Sequence, residues 1–131
     1  EHAGTPVSPL AAQCRTHGEC YGVTQQRVVR DEVWSDGRSR SDSSRLWPYT
    51  ERLKASVVFY LKRRNSVDAV CAMDAFDMLM SYCSAPGVAV KGTWRDRLLP
   101  SGDFVTEAAP ASSFYHITLA LSELIRVANT L

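Results

Sequence analysis

The spacing of hydrophobic positions predicts two consecutive helices in the middle of this chain. The first begins near Pro48, whose missing N–H is not needed at the first helical position, and ends at Lys62-Arg63-Arg64. The second follows the capping signal Asn65-Ser66, carries apolar residues at helical spacing as far as Cys83, and ends before Pro86-Gly87. Because so few residues separate the two helices, we expect an antiparallel hairpin.

A third helix is predicted from near Pro110 to Leu131. Its apolar residues predict one packed stripe, made of Ile117, Leu121, Leu124, Ile125, Ala128 and Leu131. Positions one turn away from His116 share a second face that is small and polar, made of Ser112, Ser113, Ala120 and Glu123. A helix with these two faces can pack on one side and line a cavity with the other.

The remaining segments have extended or irregular patterns. Residues 1–20 resemble the frayed end of a helix that begins upstream, whereas residues 38–45 are polar and predicted to be a solvated loop. Residues 21–36 are rich in β-branched and aromatic residues and end in the turn signal Asp36-Gly37; residues 88–105 repeat this pattern around Ser101-Gly102-Asp103. The predicted fold class is therefore mainly α, with antiparallel helical hairpins joined by long β-like loops.

Composition limits the classes of partner. The chain has 131 residues, within the size of one domain, with 45% hydrophobic and 22% charged residues and a net charge of +1. This charge provides no field that favours nucleic acid or an anionic membrane, and no apolar run approaches the ~20 residues that span a bilayer. We expect neither partner. No signal peptide is visible and the first residue is not methionine, so we expect a processed chain or one cut from a longer protein.

The four cysteines allow two interpretations. Cys71 and Cys83 lie at the two ends of the second predicted helix, about 18 Å apart at 1.5 Å per residue, so they cannot form a disulfide with each other. The spacings fit no zinc site, and no metal or cofactor is expected. Reduced cysteines in a cytoplasmic protein are one interpretation; a Cys14–Cys20 disulfide in an exported protein is the other.

Three side chains are candidates for binding or catalysis. His116 lies near a helix start among small residues, and Trp47 and Glu51 are four residues apart on one helix face. An aromatic plate beside a carboxylate can hold a sugar, because the ring stacks on the sugar and the carboxylate accepts hydrogen bonds from its hydroxyls. The alternatives are a structural histidine, a packing tryptophan, and a solvated or ion-paired turn at Glu51-Arg52. His2 and His17 lie in loop-like contexts.

Three blocks of sequence resemble the C-terminal third of the N-acylglucosamine 2-epimerase superfamily, close to its mannose-6-phosphate isomerase-like branch. They are Ser44 to Ala55 (SRLWPYTERLKA), Gly92 to Leu98 (GTWRDRL) followed by Gly102 to Val105 (GDFV), and Pro110 to Ile117 (PASSFYHI). Residues 21–37 also resemble the stretch that precedes the first block. Since the blocks keep the family's order and separation, the resemblance covers nearly the whole chain.

The resemblance implies a fold and a reaction. Family members form an (α/α)6 barrel, and they isomerise or epimerise sugars through proton transfer next to a carbonyl without needing a metal. Here it implies that residues 1–131 form one segment of such a barrel, with His116 as general acid/base and Trp47 and Glu51 lining the pocket; Arg52 is a weaker match. The substrate would be a sugar or a sugar phosphate. A phosphate would need a basic cluster at the barrel mouth, and two are available: Arg38, Arg40 and Arg45, or Lys91, Arg95 and Arg97.

The chain departs from the family in its length, which is about a third of the usual one. The family's other catalytic histidine, on a preceding inner helix, has no counterpart in residues 1–45. We therefore expect the isolated chain to be inactive, and to self-associate or to need the missing barrel segment, because an incomplete barrel exposes apolar faces. The alternative is a non-catalytic helical module that binds carbohydrate or another chain.

Overall fold

A computed structural model describes residues 6–88 and 90–129, which are mainly helical, as predicted. In chain order, the elements are α1 (Pro9–His17), a π-helical turn (Gly18–Gly22), β1 (Ser44–Arg45), α2 (Leu46–Arg63), α3 (Ser66–Cys83), β2 (Arg97–Leu98) and α4 (Ala111–Ala128). Four α-helices and one small sheet agree with the predicted fold class, while the closed (α/α)6 barrel stays a prediction.

Among the described residues, the first helix starts at Pro9, so the prediction of a frayed helix end is wrong for residues 6–20, and residues 1–5 lie outside the described part of the chain. The Ser8 hydroxyl caps α1 by accepting a hydrogen bond from the Ala11 N–H at 3.2 Å, and Pro9 occupies the first helical position. Serine followed by proline is a recognised helix start, because the two residues account for N–H groups that have no partner inside the helix.

The predicted hairpin is confirmed as α2 and α3. Helix α2 begins at Leu46, so that Pro48 lies in its first turn, and it ends at Arg63; the capping residue Arg64 adopts a left-handed conformation with φ 53°. Helix α3 is capped as predicted: Asn65 Oδ1 accepts a hydrogen bond from the Asp68 N–H at 2.9 Å. The two-residue connection sets α3 antiparallel to α2.

Helix α2 is the centre of the core, with α3 on one side and α4 on another. Its buried residues Leu46, Tyr49, Leu53 and Val57 form one continuous cluster with residues from both neighbours. The contributions of the neighbours are Ala72, Ala75, Leu79 and Tyr82 from α3, and Ile117, Ala120 and Val127 from α4. This packing fixes the direction in which each α2 side chain points.

The packed face of α4 overlaps the predicted stripe in part. Ser113, Ile117, Ala120 and Val127 are the buried residues of α4, and Leu121 and Leu124 of the predicted stripe are partly buried against the core. Ile125, by contrast, is 61% exposed. Ala128 is also exposed, and Leu131 lies outside the described residues. Helix α4 is thus rotated about its own axis relative to the prediction. Its buried positions are three or four residues apart and face α2, which places Ala120 in the core rather than on a cavity wall.

The two long loops meet at the starts of α2 and α4. Strand β1 pairs with β2 in antiparallel register, Ser44 with Leu98 and Arg45 with Arg97. Isolated bridges join Val23 to Val29 and Val33 to Ser39, which confirms extended structure in residues 21–36 and shows that the polar stretch 38–45 is partly extended. The predicted turns are present: Gly37 and Gly102 have φ of 85° and 89°.

A buried hydroxyl network fastens the first loop to the helices. Tyr82 donates a hydrogen bond to the Ser44 carbonyl at 3.0 Å, and the Tyr49 hydroxyl accepts one from the Val29 N–H at 2.9 Å. The Ser44 hydroxyl lies 3.2 Å from the Tyr49 hydroxyl and 3.1 Å from that of Tyr82. Burial strongly raises the pKa of Tyr82, so its hydroxyl group stays protonated at any ordinary pH.

All four cysteines are free in this structure. Cys14 and Cys20 are six residues apart along α1 and the π-helical turn that continues it, about 9 Å at the helical rise, which exceeds the reach of a disulfide. The alternative of a Cys14–Cys20 disulfide is therefore incompatible with this helix. Among the described residues, no helix is both long enough and apolar enough to cross a bilayer.

Candidate active site

The first two turns of α2 and α4 lie side by side, and this brings three predicted residues together. His116 Nδ1 lies 3.0 Å from Glu51 Oε1. The ring centroids of Trp47 and His116 are 6.0 Å apart, with the ring planes tilted by 42°. Residues near the starts of both helices are thus in contact.

Glu51 carries a negative charge that its neighbours stabilise. Burial raises its pKa, but hydrogen bonds from Lys54 and His116 and the positive charge of Lys54 outweigh burial and lower the pKa overall. The Lys54 ammonium donates to Glu51 Oε1 at 2.7 Å. Glu51 is therefore ionised at neutral pH and can only accept hydrogen bonds.

An ionised Glu51 determines which nitrogen of His116 carries the proton. Because the carboxylate can only accept, the contact at Nδ1 requires an N–H there. Neutral His116 then has its lone pair on Nε2, and that nitrogen is the one available for proton transfer. A carboxylate in this position both orients an imidazole and fixes its tautomer.

A cavity of about 370 Å³ opens beside the imidazole. It is lined by Arg45, Trp47, Asp96, Pro110, Ser112, Ser113 and His116. Ser112 and Ser113 were predicted to share a face with His116, and both line this cavity. The imidazole is 34% exposed, so a ligand in the cavity can reach it.

The sequence analysis missed Asp96. It is 3% exposed, and its Oδ1 accepts a hydrogen bond of 2.5 Å from the Ser113 hydroxyl. Its backbone carbonyl accepts from the Leu46 N–H at 2.9 Å, at the first residue of α2. In the sequence, Asp96 stands between two arginines, Arg95 and Arg97, and directly before β2.

Arg52 lies away from this pocket. Its guanidinium forms two hydrogen bonds to Glu19, of 3.0 Å from Nε to Oε1 and 2.9 Å from Nη2 to Oε2, and its side chain is 9% exposed. It borders a separate cavity of about 500 Å³ between α1 and α2, on which Glu51 also lies. The structure thus brings Trp47, Glu51 and His116 together, but it does not bring Arg52 into that group.

The other described histidine is remote from the pocket. His17 lies at the end of α1, with its ring centroid 4.8 Å from that of Tyr21, and does not line the cavity beside His116. His2 is outside the described residues. Within residues 6–88 and 90–129, no three His, Cys, Asp or Glu side chains are grouped as a metal site requires.

Comparison with known proteins identifies the family. The model of the N-acylglucosamine 2-epimerase (GlcNAc 2-epimerase) family matches residues 10–120. The chain belongs to this family. A mannose-6-phosphate isomerase of Rhizobium meliloti (strain 1021) is 37% identical over 114 residues, which cover 82% of this chain and 28% of that protein. No solved structure matches the chain significantly.

Family membership confirms the resemblance drawn from the sequence blocks. The matched region contains Trp47, Glu51 and His116, together with the loops that meet at the starts of α2 and α4. The chain spans less than a third of the curated relative's length. Because so little of the relative is covered, its substrate is not carried over to this chain.

Proposed function

We propose that this chain forms part of the active site of a sugar isomerase or epimerase, with His116 as a general acid/base. The observation that carries the proposal is the 3.0 Å contact between His116 Nδ1 and Glu51 Oε1 at the wall of an open cavity. An imidazole that is oriented by a carboxylate and open to a ligand suits proton transfer. Membership of the N-acylglucosamine 2-epimerase family supports the choice of reaction.

In the proposed reaction, His116 Nε2 removes a proton from the carbon next to the sugar carbonyl. The C–H bond breaks, its electron pair forms the C=C bond of an enediolate, the carbonyl π electrons move to oxygen, and the proton moves to Nε2. For the isomer, the hydroxyl proton passes to the former carbonyl oxygen, a proton returns to the former carbonyl carbon, and the new C=O forms at the neighbouring carbon. For the epimer, a proton returns to the opposite face of the same carbon and the original C=O forms again. Glu51 keeps the Nδ1 proton in place throughout and stabilises the imidazolium.

Trp47 and the polar residues of the cavity would hold the sugar. The indole ring is 40% exposed beside His116, so its face can stack on the apolar side of a pyranose. Arg45 borders the same cavity and is half exposed, and so it is the side chain that would meet a phosphate group. Arg52 forms an ion pair with Glu19, and we infer that it holds the π-helical turn in place rather than contacting the substrate.

A second acid/base group is needed for proton transfer on two faces or at two carbons. We infer that this group lies outside the described residues, since His17 is remote from the cavity. We expect the isolated 131-residue chain to show little or no turnover. In the same view, other barrel helices would cover the exposed apolar side chains of α4, which include Phe114, Tyr115 and Ile125.

A chimera tests the catalytic assignment. Residues 10–120 of this chain would replace the matching segment of the Rhizobium meliloti relative, and turnover would be measured with mannose 6-phosphate and with mannose. We expect activity in the chimera and a loss of 10²–10⁴-fold in kcat with His116→Ala, the usual contribution of a general acid/base. His17→Ala is the matched control and should leave turnover unchanged. Full turnover in His116→Ala would contradict the assignment.

Sedimentation velocity tests whether the exposed apolar side chains of α4 are an interface for other helices. The isolated chain should associate as its concentration rises, because Phe114, Tyr115 and Ile125 are each more than half exposed. A monomer at all concentrations would contradict the proposed cover and favour a self-contained binding module.

A further inference from the structure

Two cationic or potentially cationic groups share one oxygen of Glu51. Lys54 Nζ lies 2.7 Å and His116 Nδ1 lies 3.0 Å from Glu51 Oε1. Lys54 follows Glu51 by three residues on α2, so both side chains project from the same face of that helix. The lysine side chain is 24% exposed, which means that water only partly screens its charge.

The shared oxygen has a chemical consequence for the imidazole. A carboxylate alone favours the charged form of a neighbouring histidine, and a histidine held in that form cannot accept a proton. A lysine on the same oxygen offsets this effect in two ways. It neutralises part of the carboxylate charge, and its own charge repels an imidazolium a few ångströms away.

The other charged groups around this pair already have partners or lie across a cavity. On the His116 side, Asp96 binds Ser113, and Arg45 lies 3.9 Å from Asp31. On the far side of Glu51, Arg52 pairs with Glu19, Arg15 pairs with Asp68, and Arg30 donates to the Tyr21 carbonyl. Lys54 is thus the cation that forms a hydrogen bond with the carboxylate that His116 uses.

We propose that Lys54 is a positioning residue that acts through Glu51 to balance the two protonation states of His116. The balance matters because a general acid/base must both accept and release a proton in each turnover. The catalytic meaning rests on the proposed function, whereas the effect of Lys54 on the imidazole is a property of the chain itself. No substrate is required to measure it.

The test is a titration of the His116 ring protons by NMR in the 131-residue chain, with His116→Gln to assign the resonances. Lys54→Gln should move the titration midpoint upward by about half a pH unit, the size expected for removing one charge at close range. Lys54→Arg should keep the midpoint near that of the native chain. Arg126→Gln is the matched control: it also removes one positive charge, but ten residues further along α4, and should leave the midpoint unchanged.

A second pair of variants separates action through Glu51 from a general charge effect. In a Glu51→Gln background, Lys54→Gln should shift the midpoint by clearly less than it does in the native chain. An unchanged or lower midpoint in Lys54→Gln, or an equal shift in both backgrounds, would overturn the proposal. Amide spectra would check that each variant is folded. Because the titration uses no sugar, it can be interpreted independently of the activity assay. An inactive chimera would refute the proposed function without affecting the titration result.

Discussion

Among single residues, Glu51 shows how hydrogen-bond partners can outweigh the effect of burial on a pKa. Burial alone would raise its pKa, yet the hydrogen bonds from Lys54 and His116 lower it from the ordinary value of 4.5. A carboxyl group whose pKa is lowered by folding stabilises the folded state above its unfolded pKa. That stabilisation is lost as the pH falls through the folded pKa, so the sensitive range lies below about pH 4.5.

Glu51→Gln should therefore cost stability at pH 6 and cost less at pH 3, because the stabilisation declines as the pH falls below about 4.5. We expect a loss of about 0.5 kcal/mol at the higher pH, because the side chain is 44% exposed and such pairs contribute little. Urea unfolding of the native and Glu51→Gln chains at the two pH values measures the difference. A penalty of the same size at both pH values would mean that the carboxylate charge is not its source.

The neighbouring positions 51 and 52 show which site residues a sequence can identify. Successive helical residues point about 100° apart, so Glu51 faces α4 while Arg52 faces α1 and Glu19. The four-residue spacing of Trp47 and Glu51 correctly predicted a shared face. Asp96 could not be predicted in this way, because its contacts to α2 and α4 depend on how β1 and β2 pair.

At the level of elements, the helices were predictable and the rotation of α4 was not. Capping residues and prolines mark the helix starts locally, so α2, α3 and α4 were expected within a few residues of their bounds. On α4, the predicted stripe and the packed face share Ile117, which is buried, and Leu121 and Leu124, which are partly buried; the prediction failed at Ile125 and Ala128. Two apolar stripes a fraction of a turn apart look alike in sequence, and only the contact with α2 decides between them.

Gly37 tests the fit of the first loop against the π-helical turn. It has φ 85°, and a Cβ atom there would overlap the ring of Tyr21, whereas Gly102 has φ 89° with open space around it. Gly102→Ala should cost about 1–2 kcal/mol, the price of a left-handed alanine. Gly37→Ala should cost clearly more, since the ring must also move. If thermal or urea unfolding showed the same loss of stability for both variants, the Tyr21 ring would be able to move aside at no cost in free energy.

For the molecule as a whole, one buried residue connects both loops to both helices of the site. The Asp96 carbonyl binds the start of α2, its carboxylate binds Ser113 on the first turn of α4, and its neighbour Arg97 pairs with β1. His116 lies three residues after Ser113, so this connection also sets where the imidazole meets Glu51. The structure therefore ties the geometry of the candidate site to a contact between distant parts of the chain.

The Asp96–Ser113 pair should show strong energetic coupling in a double-mutant cycle. Asp96→Ala and Ser113→Ala each leave a buried polar group without its partner, which costs about 1–3 kcal/mol, so the double variant should lose less than the sum. The Ser101–Asp103 pair is a matched control: it has the same chemistry at 2.8 Å, but is exposed. Its coupling energy should be near zero, because water replaces a lost partner there. Urea unfolding of the six variants and the native chain gives both values, and similar coupling in the two pairs would mean that the buried contact does not hold α4 against the loops.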